Sequence, residues 1–215
     1  MPGTNCSPQN PVIVVLAEPI VVLDLETTGL RCDQGDRVTE IAALRVHGER
    51  VVERFETLVN CRLRLPNYIS RFTGITQAMV DGAPPASKAF GDLLSFIGTD
   101  TVVAHNAAFD QAFLASECHR ERLTGIDSDF VCSLQMARRL FPDMKSHALG
   151  CLASRLGIKL DSALHRAGVD AELTARILLH VAKTLQTKYS VPVVTAQVLK
   201  TFAYAAVELD AASAA

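Results

Sequence analysis

The chain has 215 residues, 49 % apolar and 20 % charged, which suits one globular domain with tails and excludes a low-complexity or disordered chain. A formal net charge of −2 excludes a global basic field for nucleic acid, although a local basic patch remains open. The six cysteines, Cys6, Cys32, Cys61, Cys118, Cys132 and Cys151, form no CxxC pair, so they read as reduced thiols of a cytoplasmic protein and argue against structural zinc or disulfides.

Residues 1–10 carry Pro, Asn, Gln, Gly and Ser and read as a loose tail, with no basic residue ahead of an apolar run to suggest a signal peptide. Val12 to Leu16 suggests a short extra strand. Glu18 and Pro19 break the apolar run that ends at Leu25, which is too short to span a bilayer. An N-terminal tail is therefore expected over 1–19, a main domain over 20–188 and a helical extension over 189–215.

Ile20-Val21-Val22-Leu23 runs into Asp24-Leu25-Glu26-Thr27-Thr28-Gly29 and reads as a buried strand ending in a turn. Side chains alternate along a strand, so Asp24 and Glu26 face the same way. Two neighbouring carboxylates repel, and a shared proton or a hard cation would relieve them. An acidic surface turn is the plain alternative.

Arg37–Val46 and Val51–Val59 read as a hairpin around His47-Gly48-Glu49. Ser70–Thr76, with Gly74, reads as a loop, and Gln77–Val80 as a short helix. Ser87–Ile97 is an amphipathic helix closed by Gly98. Thr101–His105 is a buried strand, and Asn106 has the chemistry of an N-cap for a helix over Ala107–Arg120. Phe130–Cys132 is a fifth strand. Ser133–Leu140 and Ala148–Leu156 read as helices. Val169–Lys188 is a long helix with Leu173, Ile177, Leu178 and Val181 at helical spacing. Val193–Leu209 reads as a last helix. Three strands followed by alternating strands and helices indicate an α/β domain with a mixed five-stranded sheet, the first strand central. In such sheets ligands gather beyond the strand ends where strand order reverses, which is where Asp24 and Glu26 fall.

Two further segments hold acids in a comparable setting. In His105-Asn106-Ala107-Ala108-Phe109-Asp110 the Asp lies in the first turn of a helix, as does Asp170 in His165-Arg166-Ala167-Gly168-Val169-Asp170. Each alone reads equally well as a helix-terminal acid, and His165 alone as a surface or capping residue.

Together, DxETTG, HNAxFD and HxAxxD resemble, in order and separation, the three motifs of the DEDDh family of 3′→5′ exonucleases, which includes proofreading subunits, ribonuclease T and oligoribonuclease. The resemblance runs from about Ile20 to Leu185 and takes in Phe72–Thr76 and Met136–Pro142. It implies a ribonuclease H-like fold flanked by helices, with two Mg²⁺ or Mn²⁺ ions held by Asp24, Glu26, Asp110 and Asp170. It implies His165 as the general base, a role suited to a group that titrates near the operating pH. Two divalent ions clamp the attacking and leaving oxygens of a phosphodiester. By the same resemblance the Glu26–Thr27 backbone contacts the terminal nucleotide and Gly74-Ile75 packs near the last bases. Thr27, Thr28, Asn106 and Phe109 complete the expected substrate contacts.

The implied activity is removal of 5′-mononucleotides from the 3′ end of single-stranded or frayed DNA in proofreading or repair. RNA trimming, or a non-catalytic binding subunit on the same fold, are the alternatives. Arg62, Arg64, Arg71, Lys145 and Arg166 are candidate phosphate contacts. The resemblance implies a DNA polymerase subunit or a sliding clamp as candidate partners, and Gln197–Phe202 resembles a sliding-clamp-binding peptide except for Lys200. Cys132-Ser133 departs from the Asp-Ser or Asp-Thr usual in the family, which puts only a local cap or hydrogen bond in question.

Overall fold

A computed structural model describes residues 15–159 and 165–205. Cys6, most of the expected tail, Val12–Val14 of the extra strand and the Ala-rich end lie outside these residues.

Five strands form one mixed sheet in the order β3-β2-β1-β4-β5. They are β1 (Leu16–Thr27), β2 (Val38–Gly48), β3 (Arg50–Leu58), β4 (Thr101–Ala104) and β5 (Phe130–Cys132). β1 pairs antiparallel with β2 and parallel with β4, so it is central, as expected. Leu16 belongs to β1 itself, and a register shift between Leu16 and Ile20 absorbs Pro19. His47 pairs with Arg50 across a two-residue turn in which Gly48 has φ +64°, a left-handed conformation that glycine adopts without strain. β3 is the outer strand, and its exposed charges Arg50, Glu53, Arg54 and Glu56 discourage further strand pairing.

The continuous apolar run of β1 follows from burial on both faces. Val21, Leu23 and Leu25 pack with α3 (Ala86–Ile97) and α4 (Ala107–Glu121) through Phe90, Leu93 and Phe113. Ile20 and Val22 pack on the other face with α5 (Ser133–Leu140), α6 (Leu149–Leu156) and α7 (Ala167–Lys188). The stripe Leu173, Ile177, Leu178, Val181 and Leu185 of α7 is wholly buried there. Each such side chain contributes roughly 1.5–3 kcal/mol. Asp24 and Glu26 share the parity of Ile20 and Val22, so they leave the sheet on the α7 side, where Asp170 begins that helix.

Three expectations need correction. Ser70–Thr76 is not all loop: α1 spans Asn67–Thr73, and only Gly74, at φ +75°, Ile75 and Thr76 lie outside it. Ile69 and Thr73, four apart, are buried, and that pairing fixes the helix. α2 follows at Gln77–Asp81. Asn106 holds the N-cap position of α4 but makes no side-chain cap bond, because its backbone is left-handed at φ +71° and turns the side chain away. The last helix, α8, is Ala196–Tyr204 and so starts three residues later than expected, while 206–209 of the expected span lie outside the described residues. It buries Leu199, Phe202 and Ala203 in the α7-side core. Phe202 is only 5 % exposed. The helical, inward-facing Gln197–Phe202 segment is therefore not the extended peptide that a sliding clamp would take. No helix among the described residues is long and apolar enough to cross a membrane. The described cysteines, Cys32, Cys61, Cys118, Cys132 and Cys151, are free thiols.

Candidate active site

The site forms where β1 outruns its neighbour. β4 pairs with β1 only along Ile20–Val22, so the residues beyond extend freely on that side. The Leu25 N–H, on this overhang, donates to the Asp110 carboxylate from the first turn of α4. Asp24, Glu26 and Asp170 bring ligand oxygens within 4.8 Å of one another. Asp110 stands outside that trio, against Leu25. Its field and that of Asp170 both reach Asp24.

Burial and mutual repulsion act together on these acids. Asp24 is pushed well above the usual carboxylate range, first by burial and then by Asp110, Asp170, Glu26 and Glu40. Glu26 is raised to about 7 by burial, Asp170 and Glu40, against a pull from Arg166. Asp110 is raised to about 8 by burial, opposed by its own N–H and that of Leu25. Asp170 is raised by burial, while the His165 N–H and the His165 charge oppose it. Asp170 Oδ1 is buried and has no hydrogen-bond partner. An orphaned carboxylate oxygen among acids that hold protons fits a hard, oxygen-seeking divalent cation. The oxygen-only donor set fits Mg²⁺ or Mn²⁺ better than softer metals.

Stability should follow pH accordingly. The unfolded chain gives up these protons near pH 4, whereas folded Glu26 and Asp110 hold them to about 7 and 8. The folded state therefore loses stability as pH rises through that window. In EDTA the thermal midpoint is expected to fall between about pH 5 and 8, and saturating Mn²⁺ to raise it more at pH 8 than at pH 5. A midpoint in EDTA that rises over this range would contradict the raised carboxylates.

His165 sits on the short approach to α7 with φ +71°. Its backbone N–H donates to Asp170 Oδ2 at 3.2 Å, and its ring stacks on Phe72 with centroids 3.7 Å apart. Glu40, opposite Glu26 across the β1–β2 pairing, anchors the same approach. The Arg166 guanidinium donates to both Glu40 oxygens at 2.5–3.1 Å, and the Ala167 N–H donates to Glu40 Oε2 at 3.0 Å. Arg166 is thus a strut for the His165 segment, which corrects the expectation of a phosphate contact.

The expected substrate residues divide. Thr27 Oγ1 donates to the Gly29 carbonyl at 2.6 Å. Thr28 Oγ1 donates to Asp36 at 3.0 Å and accepts from the Arg37 N–H, so both threonine side chains serve the turn. The Ile75 side chain is fully buried with Cys61, Leu65 and Val80, facing away from solvent. Gly74 and Asn106 are exposed. Phe109 is half-buried against Phe113, with centroids 4.7 Å apart. Arg62, Arg64, Arg71 and Lys145 are exposed and in no ion pair among the described residues. Ser133 is buried, and its hydroxyl donates to His105 Nδ1, a tie independent of the missing family Asp.

Glu40, Phe72 and Tyr68 were not singled out in the sequence. Tyr68 and Phe72, four apart on α1, are 63 % and 56 % exposed, and the Tyr68 hydroxyl donates to the Thr28 carbonyl at 3.4 Å. A helix over 67–73 would have put both rings on one face.

The exonuclease family RNase_T matches residues 21–178. The epsilon subunit of DNA polymerase III from Aquifex aeolicus is 34 % identical over 171 residues, covering 80 % of this chain and 84 % of that protein. The PolC-type DNA polymerase III of Bacillus cereus is 37 % identical over 171 residues, and the chain spans only 12 % of its length. Among solved structures, exonuclease X in complex with 5′-overhanging duplex DNA superposes with a TM-score of 0.66 at 25 % identity, over 86 % of this chain and 99 % of that one. The nuclease domain of 3′hExo, a DEDDh family member bound to rAMP, shares the fold with a TM-score of 0.66 at 19 % identity, over 79 % of this chain and 92 % of that one.

Proposed function

The chain belongs to the RNase_T exonuclease family, and on that premise we propose that it removes nucleotides one at a time from the 3′ end of DNA, releasing 5′-mononucleotides. The observation that carries this reading is the convergence of Asp24, Glu26 and Asp170 within 4.8 Å. These three, with Asp110, would hold two Mg²⁺ or Mn²⁺ ions. Bound there, such ions make water acidic enough to attack at neutral pH and offset charge on the leaving oxygen.

The chain's own groups do the rest. The His165 imidazole takes the proton of the attacking water, held in place by the Phe72 ring, the Asp170 carboxylate and the Glu40–Arg166 strut. Tyr68 and Phe72 offer exposed rings to the terminal bases, and base–aromatic stacking binds a single strand with little regard to sequence. Phe109, half-buried against Phe113 on α4, the exposed Gly74 and the Thr27 backbone would complete the contacts to the terminal nucleotide. A single strand or a frayed mismatch suits this rim, since unstacked bases can be splayed onto the two rings whereas those of a duplex are held in their stack.

The similarity to polymerase III subunits supports a proofreading or repair setting and a polymerase partner. Digestion of matched 5′-labelled single-stranded DNA, RNA, and duplexes with paired or mismatched 3′ ends tests the substrate. Faster loss of single-stranded and mismatched DNA is expected. Degradation of RNA alone would overturn the DNA assignment, and degradation of nothing would favour a binding subunit. Phe72→Ala is expected to raise KM for single-stranded DNA about tenfold, and Phe72→Tyr to restore it. An unchanged KM in the alanine variant would remove Phe72 from the substrate rim.

A further inference from the structure

Beside the acid cluster lies a concavity of about 900 Å³. One wall is His105-Asn106, where β4 leaves the sheet for α4. The other is Leu134 and Arg138 of α5 with Pro142 and Met144 to Ala148, while Asp143 between them pairs with Arg155 at 3.4 Å instead. Hydrogen bonds tie the walls together. His105 Nε2–H donates to the His147 carbonyl at 3.0 Å, because a carbonyl can only accept. His105 Nδ1 must then accept from the Ser133 hydroxyl at 2.9 Å, and His147 Nε2–H donates to the Phe141 carbonyl at 2.9 Å. Burial pushes His105 down to about 4, so it serves near neutral pH as an uncharged brace.

The charge of this concavity differs from that of the chain as a whole. No carboxylate is among its lining residues, whereas the chain carries a net charge of −2. Arg138 and Lys145 are exposed, lie on separate elements and make no ion pair among the described residues. Asn106, freed from capping by φ +71°, shares this lining and directly precedes the helix that carries Asp110. Asp110 follows Asn106 by four residues, a rise of roughly 6 Å along a helix. A strand with its last phosphodiester on the acids therefore meets this wall within about one nucleotide.

We infer that this concavity seats the phosphodiester backbone of the substrate strand immediately 5′ of the bond to be cut, with Arg138, Lys145 and the Asn106 amide contacting its oxygens. The inference rests on the exonuclease reading for the direction of the strand. Two cations on different elements suit successive phosphates rather than the single phosphate of a released mononucleotide.

The test is the double variant Arg138→Gln/Lys145→Gln, whose sites are both on the surface. Fluorescence anisotropy of a 5′-labelled ten-nucleotide DNA strand in EDTA needs no turnover. The variant should bind the strand about tenfold more weakly, and its plot of log affinity against log salt should be shallower by about 1.4, or 0.7 per lost contact. Competition by thymidine 5′-monophosphate should weaken far less than strand binding. Unchanged strand affinity and salt slope would overturn the inference. So would an equal loss for strand and mononucleotide, which would mean that the concavity takes the product. A wild type that degrades no strand in Mg²⁺, while the variant still shows weaker binding and a shallower slope, would sink the exonuclease reading and leave the concavity as a nucleic-acid site.

Discussion

Asp24→Asn is expected to lower the rate of 3′-end hydrolysis by about a thousandfold or more and, at the same time, to raise the thermal midpoint of the cation-free protein by about 3–6 °C. The two effects have one cause. Asp24 lies deepest in the field of the other acids, with Asp110, Asp170, Glu26 and Glu40 all raising its pKa on top of burial. Above about pH 4 the chain must take up a proton at Asp24 in order to fold, and a neutral amide of the same shape removes that cost, worth about 1–2 kcal/mol at the roughly 2–4 °C per kcal/mol of a domain this size. The same replacement removes the carboxylate best placed to share a cation with its neighbours, and such charge stabilisation contributes several kcal/mol to the transition state. A melting curve in EDTA and a single-turnover rate in Mn²⁺ check both halves. A variant that is inactive and also less stable without cation would point to a misfolded strand end instead.

His165→Ala should behave differently. Its rate is expected to fall by about a hundred- to ten-thousandfold, the range for a positioned general base, while cation binding persists. The backbone supports that separation: the bond to Asp170 comes from the His165 N–H, and the strut to Glu40 comes from Arg166 and the Ala167 N–H. Removing the imidazole therefore leaves Asp170 oriented. Isothermal titration with Mn²⁺ reads the outcome. Loss of cation binding in this variant would make His165 a ligand rather than a base.

Much of the architecture was legible because periodicity and burial agree. The run Ile20–Leu23 is apolar at every position because both faces of β1 are covered, and α7 shows its stripe because only one face is. Asp24, Glu26 and Asp170 were legible through motif spacing, and the fold brings their ligand oxygens within 4.8 Å of one another. Glu40 was not, because it sits in a strand whose neighbours are apolar. Its partners, Arg166 and Ala167, lie 126 and 127 residues away, and only the landing of α7 on β2 brings them together. Phe72 was hidden by reading Ser70–Thr76 as a loop. Gly74 marks the end of a helix there, and only the folded chain reveals that the ring covers His165. The clamp-like Gln197–Phe202 segment lies in a stretch that already reads as helical, and burial of Leu199 and Phe202 in the α7-side core agrees with that reading.

The most direct test of the central claim, that these acids form a cation site for hydrolysis from the 3′ end, is single-turnover digestion of 5′-labelled single-stranded DNA by the wild-type chain as Mn²⁺ is titrated in from EDTA. The expected result is no cleavage in EDTA, then a ladder shortening by one nucleotide per step from the 3′ end, its rate rising with about the second power of cation concentration when cation is scarce. Degradation that persists in EDTA, or cleavage that starts inside the strand, would contradict it.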